Sequence, residues 1–127
     1  MSLDKKILFM DAEEIIRQVA ARIFPAIGYA VEIACEGSEA VEKYKTAAEN
    51  GGKFDAVIMD FKVENGMGGV DAAKKILEYD ADARIIVSSG ALPSEIESDL
   101  RKYGFRASLP KPYSMQRARE VIDSVLK

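Results

Sequence analysis

"FDAVIMDFKVENGMGG" (residues 54–69) joins an almost continuously apolar run to Asp60, and then opens into a stretch holding Gly66, Gly68 and Gly69. Taken by itself, an aspartate in that place has two readings. It is a turn former or helix cap, or it is a side chain held at the mouth of a sheet, where open α/β folds put their chemistry. The rest of the chain bears on the choice. Four further runs rich in Ile, Val, Phe and Ala flank this one: "KILFMD" (6–11), "YAVEIA" (29–34), "ARIIVSS" (83–89) and "RASLP" (106–110).

Segments with helical periodicity lie between the runs. The first carries Ile15, Ile16, Val19, Ala20, Ile23 and Phe24, and Pro25 with Gly28 is expected to stop it. The second carries Ala40, Val41, Tyr44, Ala47 and Ala48, and the third Val70, Ala73, Ile76 and Leu77. The fourth opens on "PSEIE", where Ser94 and Glu97 have the spacing of a capping box. The fifth follows Pro112 and Ser114 and carries Ala118, Val121, Ile122, Val125 and Leu126. Five strand–helix units in one chain, with "AVIM" and "RIIV" apolar enough to be covered on both faces, predict a doubly wound parallel sheet. The order 2-1-3-4-5 sets the first and third strands side by side and brings Asp11 next to Asp60. Periodicity alone does not choose that order over another. A dinucleotide fingerprint and a Walker loop are both missing.

A chain of 127 residues makes one domain, read as residues 5–127 after a leader, 1–4, in part vector-derived. Its 18 basic and 21 acidic residues leave a formal charge of −3, which gives no reason to expect nucleic acid or an anionic membrane as partner. No apolar window is long enough to span a bilayer. Cys35 is the only cysteine, so there is no internal disulfide, and a reducing, cytoplasmic setting is the expectation. The complete lack of histidine removes imidazole acid–base chemistry and histidine-ligated zinc from this chain.

Carboxylates, hydroxyls and lysine remain. Asp11, Asp60, Ser88 with Ser89, and Lys111 all fall at carboxyl ends of predicted strands and so meet on one edge of the sheet. Two carboxylates brought together repel unless one is protonated or a cation bridges them, and a hard, oxygen-seeking Mg²⁺ suits the arrangement. With a hydroxyl and a lysine nearby, such a set fits reversible loading of an anion, phosphoryl above all, on a carboxylate.

These residues carry a resemblance. From "KILFMDAEEIIR" through "FDAVIMDFKVENGMGG" and "RIIVSSG" to "ASLPKPYS", the chain resembles the response-regulator receiver domains of bacterial two-component systems over essentially its whole length. The combination of "MD", a serine 29 positions later and "KP" 22 positions after that carries the likeness. The loop glycines and "SSG" are most similar to receivers attached to hybrid sensor kinases. The resemblance implies a flavodoxin-like (βα)5 sandwich and Mg²⁺-dependent transfer of a phosphoryl group to Asp60. The donor would be the phosphohistidine of a sensor histidine kinase or a histidine phosphotransfer domain. It also implies that Asp11, Asp60 and the carbonyl of Lys62 contact the metal, that Ser89 and Lys111 contact the phosphoryl oxygens, and that the Lys111–Pro112 bond is cis.

Three positions depart from the family pattern. Its acidic pair reads Asp11-Ala12, so an acid that usually binds the metal is absent; Glu13, one place on, is the candidate to compensate, and weakened Mg²⁺ affinity is expected. Glu64 stands where a proline usually stiffens the loop. Ser108 occupies the place of the aromatic switch residue on the fifth strand. A receiver that accepts phosphate is therefore the leading reading, with an unphosphorylated interaction module as the alternative and a small hydrolase third. A fused kinase or output domain, and weak dimerisation through the last helix, complete the expectations.

Overall fold

The computed structural model describes residues 5–127; the leader expected at 1–4 lies outside them. Among the described residues the strands are β1 (Lys5–Met10), β2 (Tyr29–Ala34), β3 (Ala56–Asp60), β4 (Ile85–Ser89) and β5 (Ala107–Pro110). The helices are α1 (Glu14–Ala26), α2 (Gly37–Glu49), α3 (Gly69–Tyr79), the four-residue α4 (Ser94–Glu97) and α5 (Met115–Leu126). The strands pair in parallel in the order β2-β1-β3-β4-β5, the flavodoxin-like arrangement.

Strand alternation sorts the core into two layers. Leu8, Met10, Val57, Met59, Ile85 and Val87 face α2 and α3. Ile7, Phe9, Ala56, Ile58, Ile86 and Leu109 face the other way, against α1 and α5. Continued past the strand ends, the second set leads to Asp11, Asp60, Ser88 and Lys111, whereas Ser89 follows Val87 on the first. The acids and the lysine therefore emerge on one side of the sheet because the residues before them are packed in register.

Two expected details differ. Pro25 does not stop α1: the helix runs one residue further with Pro25 in its last turn, where the missing N–H removes only one bond. Gly28, at φ 100°, then makes the left-handed turn into β2. The capping box of "PSEIE" does not form, because Pro93 takes the N-cap position and Ser94 is already helical. The chain beyond it continues only as a 3-10 turn, Leu100–Tyr103. The apolar positions of α5 (Ala118, Val121, Ile122 and Val125) are buried in the core. No helix among the described residues is long and apolar enough to cross a membrane.

Candidate functional site

Register places the acids. Met10 pairs with Met59 between β1 and β3, so Asp11 and Asp60 are the next residues of adjacent strands. Asp11 is 1% and Asp60 7% exposed. Asp60 also pairs with Ser88 of β4, and Ser89 pairs with Pro110 of β5. That pairing sets the following residue, Lys111, whose N–H donates to the Ser89 carbonyl at 2.9 Å. The Lys111–Pro112 bond is cis.

The lysine ammonium lies 2.7 Å from Asp11 Oδ2 and 3.4 Å from Asp60 Oδ1. Backbone donors hold the other oxygens: Glu13 N–H donates to Asp11 Oδ1 at 2.9 Å and Ala12 N–H to Asp60 Oδ2 at 3.2 Å. Burial raises the Asp60 pKa and the Asp11 charge adds to it, with Ala12 N–H and Lys111 opposing. For Lys111, burial works against the charge, but the attraction of Asp11 and Asp60 wins and its pKa is raised. Burial chiefly, and Asp11 in addition, push the neighbouring Tyr113 hydroxyl to about 12.

These shifts set a pH dependence. A raised carboxyl pKa means that the folded state holds the Asp60 proton more tightly than the unfolded chain. Its contribution therefore favours folding below the ordinary value of 3.8 and is lost as pH rises through the folded one. Asp60→Asn removes the penalty, so in metal-free buffer the variant should be more stable at pH 7 by on the order of 1 kcal/mol, a Tm gain of a few degrees. The gain should shrink as pH falls toward 4. Thermal melts of both proteins across that range check it.

The donor set fits a hard divalent cation. Among the described residues, buried Asp11 Oδ2 accepts no well-aligned hydrogen bond and has only the Lys111 ammonium as an ion-pair partner. Two carboxylates against one ammonium leave a net negative charge. Lys62 lies two residues past Asp60, and among the described residues its carbonyl accepts no backbone hydrogen bond from a loop or turn. Glu13, the expected substitute for the missing acid, lines the cleft above Asp60. Its residue is exposed, and no group of three acidic side chains among the described residues converges to hold an ion. Glu13 occupies the extended N-cap position of α1 and contributes its backbone N–H.

Ser89 ends β4 with its Oγ accepting from Ala91 N–H at 3.1 Å, which leaves its own O–H free to donate. Ser88 is buried and donates to the Leu109 carbonyl at 2.9 Å, a structural role. Ser108 lines a cleft of about 260 Å³ with Val87, Ser89, Leu92 and Pro110, and no aromatic stands there to rotate. A larger cleft of about 540 Å³ opens above Asp60, lined by Ala12, Glu13, Arg17, Glu36, Val63 and Glu64 among others. Arg17 is fixed there by a 2.7 Å bond from its guanidinium to the Asp11 carbonyl. Neither Arg17 nor the Ala12 N–H was legible in the sequence; a backbone donor has no side-chain signature.

Two acids and a lysine at the carboxyl ends of β1, β3 and β5 in a β2-β1-β3-β4-β5 sheet define a class, and comparison with known proteins agrees. The response regulator receiver domain model matches residues 7–123, and the chain belongs to that family. It is 33% identical over 126 residues to the chemotaxis protein CheY of Thermotoga maritima, covering 98% of this chain and all of that one. Among solved structures it resembles the CheX–CheY–BeF3–Mg²⁺ complex of Borrelia burgdorferi, with a TM-score of 0.86, 26% identity, and coverage of 97% of this chain and 90% of that one. It also resembles the receiver domain of the hybrid histidine kinase CckA, with a TM-score of 0.73, 32% identity and coverage of 96% and 99%.

Proposed function

We propose that Asp60 accepts a phosphoryl group from the phosphohistidine of a sensor histidine kinase, with Asp11, Asp60 and the Lys62 carbonyl holding Mg²⁺. The single observation that carries the reading is the Lys111 ammonium within ion-pair reach of both buried aspartates. An Asp60 carboxylate oxygen attacks phosphorus, the P–N bond breaks, and the imidazole leaves. Ala12 N–H orients the carboxylate. Lys111, already drawn to Asp60, is in place to follow negative charge onto the transferred oxygens, and the free Ser89 O–H can donate to another. When bound, the cation supplies charge neutralisation at the phosphoryl oxygens. The Borrelia CheX–CheY complex contains BeF3 and Mg²⁺, which supports a phosphoryl group and Mg²⁺ as ligands of this chain.

Intact-mass measurement after exposure to acetyl phosphate, or to a partner kinase, with Mg²⁺ tests the proposal. One added phosphoryl group is expected. None from either donor, with the protein folded, favours the interaction module, a reading that the missing acid at Ala12 supports. The likeness to the CckA receiver supports a hybrid kinase as the parent or partner.

Ala12 also sets the metal affinity. The residue is exposed and lines the cleft above Asp60, where a carboxylate would add a negative oxygen ligand. Ala12→Asp should tighten Mg²⁺ by at least about tenfold, roughly 1.4 kcal/mol. Titration followed by NMR or fluorescence reads this directly, and equal affinities would sink the proposed weakness.

A further inference from the structure

The loop between β3 and α3 carries Lys62 and forms one wall of the cleft, and Glu64 stands in it where family members usually have a stiffening proline. What holds this loop is a side chain from another element. Glu36, just before α2, accepts Glu39 N–H at 2.8 Å with one carboxylate oxygen and Met67 N–H at 3.1 Å with the other. The contact is doubled by the backbone, since Gly37 N–H donates to the Met67 carbonyl at 2.7 Å. Two glycines make room for it. A Cβ on Gly37 would meet the Met67 carbonyl oxygen at 2.6 Å, and one on Gly66 would meet the Glu36 carboxylate at 2.9 Å. Burial opposes the Glu36 charge, but the backbone N–H groups of Glu39, Met67 and Ser38 outweigh it and hold its pKa below the ordinary carboxylate value.

We infer that Glu36 is a positioning residue for phosphoryl transfer: its carboxylate ties the α2 N-terminus to Met67 and so fixes the loop that presents the Lys62 carbonyl to the cation. The inference rests on the proposed function. It gives the carboxylate a task beyond capping, because a helix cap needs only the Glu39 N–H. The restraint acts at the far end of the loop, on Met67, and leaves Asp60 itself fixed by β3. Ordering the loop before the cation arrives removes part of the entropy that binding would otherwise cost.

Glu36→Ser separates the two tasks, since a serine at an N-cap can accept from Glu39 N–H but is too short to reach Met67. In the full chain, amide exchange at Met67 should quicken by about fivefold to tenfold, while Glu39 and the rest of α2 keep their protection. Mg²⁺ titration followed by amide shifts should show roughly tenfold weaker binding, the scale of losing an outer support of a metal site. Unchanged Met67 exchange, or wild-type Mg²⁺ affinity in the variant, would overturn the inference. If the wild type itself gives no Mg²⁺-dependent shifts, the proposed function fails, and this inference with it.

Discussion

Asp60→Asn is expected to take up no phosphoryl group from acetyl phosphate or from a kinase, under conditions that load the wild type. The carboxamide fills the same space at the end of β3 and still accepts the Ala12 N–H through its oxygen. It has no anionic oxygen to attack phosphorus, and a neutral amide is a poor nucleophile. Another acid is badly placed to substitute. Asp11 has one oxygen bound by Glu13 N–H and the other against Lys111, and Glu64 sits on the loop. The same variant should be the more stable protein without metal, as argued from the raised Asp60 pKa. A folded, stabilised and unreactive Asp60→Asn therefore separates loss of chemistry from loss of structure.

Lys111→Met should slow loading by at least about a hundredfold, the usual cost of removing one positioned charge from a transition state that gains negative charge. It should also lower stability. The ammonium is the only side-chain cation between the aspartates among the described residues, and its removal leaves two buried carboxylates facing each other. Taking away one partner of such a group costs about 3 kcal/mol when fully buried. Lys111 is about one-fifth exposed, so the figure is discounted to roughly 1–2 kcal/mol. Mg²⁺ should restore more stability to this variant than it adds to wild type, because a cation then answers the repulsion, while the transfer rate stays low. Single-turnover loading and urea melts with and without Mg²⁺ measure the two effects separately. A full recovery of rate with Mg²⁺ would mean that the lysine serves structure alone.

Much of this site was legible because it is built on strand ends. Continuous apolar runs at 56–59 and 85–87 mark central strands, and a period of two then decides which side Asp11 and Asp60 emerge on. The departures at Ala12 and Ser108 were visible as residue types at fixed spacings. What escaped depends on direction and reach. Glu13 has the charge to compensate for Ala12, but its residue type does not show the extended N-cap conformation in which its backbone N–H serves Asp11. Glu36 reads as an ordinary acid ahead of a helix; its partner Met67 is 31 positions away, and only the packing of α2 against the loop joins them. The start of α4 was misread for a related reason. Its capping-box spacing is a local signal, and Pro93, fixed at φ −55°, takes the cap position first.

The central claim is that the covalent bond forms at Asp60. Acyl phosphates can be trapped by borohydride, which reduces a phosphorylated aspartate to homoserine and leaves free carboxylates untouched. Wild-type protein loaded with acetyl phosphate and Mg²⁺, reduced and then mapped by tandem mass spectrometry, should carry homoserine at position 60, and omission of Mg²⁺ should remove it. Homoserine at Asp11 or elsewhere, or none at all in protein shown to be folded, would contradict the account.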